Sequence, residues 1–328
     1  MLRKIFSISI VIITVLIILT ACASNNNTDK TDDDKLKIVA TVFPAYDFAR
    51  AVAKDRAEIK MLMKPGGEVH SYSPTADDML CISQCDLFIC IGGESDEDWV
   101  EDSIEASGNT DVTVIKMTDC VNTLEEGESI EPEKDADDKE EKDDDDDEKE
   151  ADEHIWTSPA NAMKVVDTIA KAVSALDVKN TDFYSSNAGS YDEQLSKLDE
   201  QFKEIAADAN IKTLVFADRF PFRYFCEEYG FDYVAAFSGC SASADPSAET
   251  ITALVNKVRE LNTKTVFTIE FSSGATADTV CEATGAEKAE LHSCHNVSQQ
   301  DFDSGITYID LMSRNINTLK EVVCNGSD

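Results

Sequence analysis

Residues 181–210 read TDFYSSNAGSYDEQLSKLDEQFKEIAADAN, and within them Tyr184, Asn187, Tyr191, Leu195, Leu198, Phe202 and Ile205 recur at three- and four-residue intervals. That spacing lines the larger side chains along one stripe of an α-helix. It predicts one long amphipathic helix over 181–210. On the amino-terminal side, Lys37–Phe43, Ile59–Met63, Leu87–Gly92 and Val112–Met117 are short apolar or β-branched runs that read as strands, with helices near Tyr46–Lys54, Thr75–Ser83 and Glu97–Glu105. On the carboxyl side, Thr213–Ala217, Tyr233–Phe237, Thr265–Glu270 and Ala289–Ser293 alternate in the same way with helices near Pro221–Tyr229, Ala248–Leu261 and Thr276–Thr284. Strands alternating with helices signal parallel α/β sheets. The expected fold is therefore α/β, with two lobes (36–180 and 211–328), a parallel sheet flanked by helices in each, the long helix as a strut, and a cleft between the lobes.

The first 35 residues read differently. Arg3 and Lys4 precede an apolar run from Ile5 to Leu19 that ends in Leu19-Thr20-Ala21-Cys22. A basic start, a short apolar segment and small residues before a cut site describe an export signal over residues 1–22. Leu-Thr-Ala-Cys resembles the bacterial lipobox, which would make Cys22 the lipidated first residue of the mature chain. An uncleaved anchor is the alternative, since the run is near the lower length for spanning a bilayer. Either reading places the remainder outside the cytoplasm, with residues 23–35 as a flexible tether.

The chain has 328 residues and a formal net charge of −36. A nucleic-acid binder needs a basic face, so that class is excluded and cations are the natural partners. Much of the charge is local, because residues 131–153 hold 16 Asp or Glu against 4 Lys. Such a block cannot collapse into a core and reads as a disordered acidic loop over about 124–153. It serves either as a weak cation collector beside a tighter site or as a solvated insertion without a role. Of ten cysteines, nine remain after Cys22, an odd number where disulfides persist. Cys81 and Cys85, four apart on an expected helix, read as packing residues.

Only four histidines occur, His70, His154, His292 and His295. Each follows a strand or ends one, where open α/β sheets bind ligands. Two from each lobe would meet in the cleft, and neutral imidazole is the commonest ligand for zinc and its neighbours. Four unrelated surface or core histidines would not share this placement.

Four further stretches then carry a family resemblance: Lys37 to Pro44 (KIVATVFP), Pro65 to Thr75 (PGGEVHSYSPT), His154 to Ala162 (HIWTSPANA) and Gly305 to Leu319. The chain resembles the zinc- and manganese-binding lipoproteins, the cluster A-I substrate-binding proteins, that feed bacterial ABC importers. The resemblance implies two α/β lobes joined by one long helix, one transition-metal ion bound in the cleft, and delivery of that ion to a permease in the cytoplasmic membrane. It also implies a monomer, lipid-anchored on the extracytoplasmic face. His70 and His154 match the family's first-lobe ligands, and His292 falls where the family usually has an Asp or Glu ligand. The family's loop before the second ligand is often histidine-rich, whereas here it is acidic and histidine-free.

The family's third ligand, a His or Glu, aligns with Arg219, whose guanidinium has no lone pair to donate. His295 would replace it, or Cys294 as a thiolate, with Asp218, Glu270 or water as fallback. Arg219 would then pair with a carboxylate and orient a group behind the ligands. A bridge from Cys240 to Cys294 is a further possibility. Imidazole-rich donors favour zinc, and manganese sites carry more carboxylate, so zinc is the expected ion with manganese the alternative. A secreted zinc hydrolase would need a general base, for which Glu270 is the sole candidate, and no His-Glu-x-x-His occurs. An adhesin that merely keeps the fold would carry no stoichiometric metal. The expectation is a binding protein, not an enzyme.

Overall fold

The computed structural model describes residues 35–67, 72–97, 99–130, 150–238 and 246–325. From Leu36 onward the chain forms one compact unit. Its first half contains β1 (Leu36–Ala40), α1 (Phe43–Ala53), β2 (Ala57–Met61), α2 (Ala76–Gln84), β3 (Leu87–Cys90), α3 (Val100–Ser107) and β4 (Thr113–Lys116). Its second half contains β5 (Thr213–Phe216), a helix Arg223–Tyr229, β6 (Asp232–Ala235), a helix Ala248–Leu261, β7 (Thr265–Thr268), a helix Ala275–Thr284, β8 (Glu287–Glu290) and two closing helices, Gln299–Ser304 and Tyr308–Asn325. The strand orders are β2-β1-β3-β4 and β6-β5-β7-β8, all parallel, so the two sheets share one topology. In each, the chain leaves the first strand in one direction and returns on its other side. That creates a switch point between β1 and β3 and another between β5 and β7, where loops diverge and leave a crevice.

Two long helices follow the first sheet. Pro159–Leu176, capped by Ser158 whose hydroxyl accepts from the Asn161 N–H, was not singled out by periodicity. The second is the expected strut, running from Thr181 to Asp208, about 42 Å at 1.5 Å per residue. Its buried stripe is Tyr184, Ala188, Tyr191, Leu195, Leu198, Phe202 and Ile205. Asn187 is only half-buried and donates its amide to the Val52 carbonyl at 2.9 Å. The core does not stop at the lobe boundary, because one apolar cluster runs from Ile38 of β1 through this stripe to Leu214 of β5. Buried Asp47 of α1 fastens the joint. Its Oδ2 accepts from the Tyr191 hydroxyl at 2.9 Å and from the backbone N–H of Tyr308 at 2.7 Å, and its Oδ1 accepts from Arg50 Nε at 3.0 Å. A buried carboxylate needs this degree of satisfaction to stay in the core.

Three expectations require correction. The last strand lies at Glu287–Glu290 rather than Ala289–Ser293, so His292 sits in the following loop rather than ending the strand. The first strand stops at Ala40 and Phe43 already opens α1, because Pro44 suits a helix's first turn and cannot extend a central strand. The acidic loop does not begin at 124 or end at 153. Leu124–Ile130 and Glu150–Asp152 form an ordered stem: Asp152 donates its N–H to the Leu124 carbonyl at 2.8 Å, Glu126 to that of Glu150 at 3.0 Å, and Ile130 to that of Ala235 on β6 at 2.9 Å. Gly127 lies against Phe220 and Tyr233, where an added Cβ would come within 2.9 Å of both. Residues 131–149, residues 1–34, Cys22 and Cys240 lie outside the described residues. No described helix is long and apolar enough to cross a membrane.

Candidate metal centre

His154 lies just past the stem, at the carboxyl end of the first sheet, and is 1% exposed. Asp152 Oδ1 accepts from its backbone N–H at 2.8 Å and lies 3.1 Å from its ring Nδ1. A carboxylate can only accept, so the ring proton resides on Nδ1 and the lone pair on Nε2. This is the arrangement in which outer carboxylates fix the tautomer of ligating histidines. Glu153 turns the other way and accepts from the Ser95 backbone N–H at 3.1 Å and from the Ser95 hydroxyl, pinning the stem to the one-turn helix Glu94–Glu97. Buried Asp96 on that turn is pushed up to about 6 by desolvation.

His295 reaches the same place from the second lobe. Its ring lies 5.4 Å from that of His154, and its carbonyl accepts from the Phe43 N–H at 3.3 Å, where α1 begins at the first lobe's switch point. Its own N–H donates to Ser293 Oγ at 3.2 Å. The Nε2 atoms of His154 and His295 are both buried.

His292 is differently committed. Its Nδ1 accepts from the Cys294 N–H at 3.0 Å, so in the neutral ring the proton sits on Nε2 and no lone pair faces outward. Asn315 clamps its backbone from both sides, at 2.8 Å each, and Glu270 Oε1 stands 3.6 Å from Nδ1. In this arrangement His292 is engaged within its own loop and shapes the segment that carries His295. Cys294 sits between them with φ of 63°, a left-handed conformation rare for a side chain of this kind, and it turns the two imidazoles apart. Complete burial pushes the Cys294 thiol well above the usual range, and its Sγ lies 3.7 Å from the His292 carbonyl.

The fallback ligands accept hydrogen bonds as well. Asp218 bridges the second switch point, with Oδ1 accepting from the Arg219 N–H at 2.8 Å and Oδ2 from the Ile269 N–H at 3.3 Å. Glu270 receives the Ser293 N–H at 2.7 Å and the Ser293 hydroxyl at 2.5 Å, so it orients the histidine loop. All eight described cysteines are free thiols. His70 lies outside the described residues, and among the described ones no three His, Cys, Asp or Glu side chains converge to hold a metal. His154, His292 and His295 thus do not make a site by themselves. What the structure brings together is His154 and His295, with Trp156 packed against both at 5.4 and 5.1 Å. Sequence reasoning passed over Asp152, Trp156 and Asn315. Only the first two carried a signal, each lying two residues from His154.

A family model described as "Zinc-uptake complex component A periplasmic", ZnuA, matches residues 38–322. The chain is 31% identical to the high-affinity zinc uptake system protein ZnuA of Bacillus subtilis over 288 residues, covering 88% of each. It is also 31% identical to the zinc-binding lipoprotein AdcA of Streptococcus pneumoniae (strain R6), covering 89% of this chain but only 56% of that one. Among solved structures, the Zn(II)-bound ZnuA-like domain of Streptococcus pneumoniae AdcA superposes with a TM-score of 0.71 at 28% identity, over 88% of this chain and 99% of that one. The metal-dependent lipoprotein YcdH from Bacillus subtilis does so with a TM-score of 0.72 at 26% identity, over 88% and 100%.

Proposed function

The chain belongs to the ZnuA family of zinc-uptake components, and from that premise we propose that it captures one zinc ion between its lobes through His154, His295 and His70 and hands it to an ABC permease. The family is the solute-binding part of an uptake system, not an enzyme family. Here zinc is cargo. The observation that carries the reading is the pairing of two imidazoles from different lobes, 5.4 Å between centroids, with Asp152 behind one of them. Two or three nitrogen donors and few carboxylates suit zinc better than manganese, whose sites favour oxygen and octahedral geometry. His70 enters from the motif alone, as the first-lobe partner of His154. Arg219 stands where relatives of this type carry a donor, so His295 takes over that share of the coordination.

We further assign residues 1–22 as a lipoprotein signal, Cys22 as the lipid attachment site on the extracytoplasmic face, and the mature protein as a monomer. Calorimetric titration of chelator-stripped protein, beside elemental analysis of untreated protein, tests the proposal. One tight zinc per chain is the expected result; a protein without a tight zinc site would overturn it.

A further inference from the structure

We propose that Trp156 is a positioning residue for metal capture: its indole sets the spacing between His154 and His295 and thereby the discrimination of zinc from manganese. The inference rests on the zinc-capture reading above and names a residue that is itself no ligand.

Trp156 lies two residues after His154 on a single 3-10 turn, Ile155–Thr157, and is fully buried. The rings of Trp156, His154 and His295 are mutually packed, at 5.4, 5.1 and 5.4 Å between centroids. Two hydrogen bonds lock the indole in register. Its Nε1–H donates to the Ser293 carbonyl at 2.8 Å, two residues before His295, and its backbone carbonyl accepts from the Tyr308 hydroxyl at 2.6 Å. Ser293 is in turn held by Glu270. One side chain therefore spans the cleft, touching both imidazoles while bonding to the loop that carries the second.

This arrangement bears on selectivity. Ligand selectivity between divalent ions comes from geometry and donor type more than from raw affinity. Zinc accepts a tetrahedral set at about 2 Å, and groups fixed to within about 0.5 Å keep it so. A loosened pair of imidazoles lets the site widen toward the six oxygen-rich positions manganese prefers. Phenylalanine in place of Trp156 keeps an aromatic face but has no N–H, leaving the buried Ser293 carbonyl without its donor and a gap beside His295.

The test uses purified protein and two variants, Trp156→Phe and Trp99→Phe, titrated separately with zinc and manganese by calorimetry while tryptophan emission is recorded. The chain has only these two tryptophans, so each variant leaves one emitter. We expect Trp156→Phe to lose about ten- to a hundredfold in zinc affinity, the usual scale for residues supporting metal ligands, with a smaller change for manganese. The zinc-to-manganese ratio then shrinks, which a merely structural role would not cause. In Trp99→Phe, emission from Trp156 should change with the same midpoint as the heat of zinc binding. A cooperatively melting Trp156→Phe protein with wild-type affinities for both ions overturns the proposal. So does Trp156 emission that stays constant through stoichiometric zinc binding, and this arm decides alone if Trp156→Phe does not fold. Wild-type protein with no tight zinc site would instead overturn the zinc-capture reading itself.

Discussion

One oxygen of Asp152 holds His154 twice, accepting from its backbone N–H at 2.8 Å and from its ring at 3.1 Å. Backbone position and ring tautomer are thus set by the same carboxylate. Asp152→Asn keeps an acceptor but removes the charge that raises the basicity of the imidazole. Zinc affinity is expected to fall about ten- to a hundredfold, measured by competition against a chelating dye. An unchanged affinity would show that Asp152 serves the stem alone.

His295 and His292 make opposite expectations testable in one experiment. His295→Ala should cost orders of magnitude in zinc affinity with little change in melting temperature. His292→Ala should leave affinity nearly intact but lower stability by about 1–3 kcal/mol, because the buried Cys294 N–H loses its acceptor. Equal losses of affinity in both variants would mean that His292 releases Cys294 and turns toward the metal.

Tyr224 clamps both arms of the acidic stem with one hydroxyl, accepting from the Leu124 N–H at 3.1 Å and donating to the Asp152 carbonyl at 2.8 Å. Tyr224→Phe leaves the buried Asp152 carbonyl and the half-buried Leu124 N–H without this partner. Its cost should be about 1–3 kcal/mol in urea denaturation. Deletion of residues 131–149 with the stem kept should spare the tight zinc site and this stability, whereas a deletion that runs on through 153 should lose both.

Asp192 on the long helix carries a pH-dependent cost. Desolvation first, and the charge of Asp167 second, push its carboxyl up to about 6, and its Oδ1 is buried without a hydrogen-bond partner. A carboxyl raised in the folded state contributes stability below its unfolded value near 4 and loses that contribution as pH rises through about 6. Asp192→Asn should therefore raise the melting temperature above pH 6, converge with wild type near pH 4, and flatten the slope between. Asp96 titrates in the same window, so part of the slope should persist.

The alternation of apolar runs with helical spacing was enough to read two parallel lobes, and the Tyr184–Ile205 stripe was enough to read the strut, because both signals are periodic and local. Pro159–Leu176 has its start marked by Ser158 and Pro159, but its small alanines weaken the apolar stripe that signals a helix in the sequence. The acidic stem was misjudged for a physical reason. Charge density marks where a chain cannot fold by itself, yet Leu124–Ile130 is held by backbone hydrogen bonds and by the stacked rings of Phe220 and Tyr233, 4.0 Å apart, from the other lobe.

Sequence by itself determined the residue types available to a metal and the class of fold that carries them, because each follows from side-chain chemistry or local period; the missing donor at Arg219 is what the family resemblance implies. On the reading proposed above, tertiary structure decides which histidine serves. His292 and His295 are three residues apart and chemically identical, and nothing in the string distinguishes them. Only the fold gives His292 an amide partner in Cys294 and a clamp in Asn315, and only the left-handed turn at Cys294 sends His295 across the cleft to His154. Hydrogen bonds between segments distant in sequence choose the tautomer, and the tautomer decides where a lone pair is available for zinc.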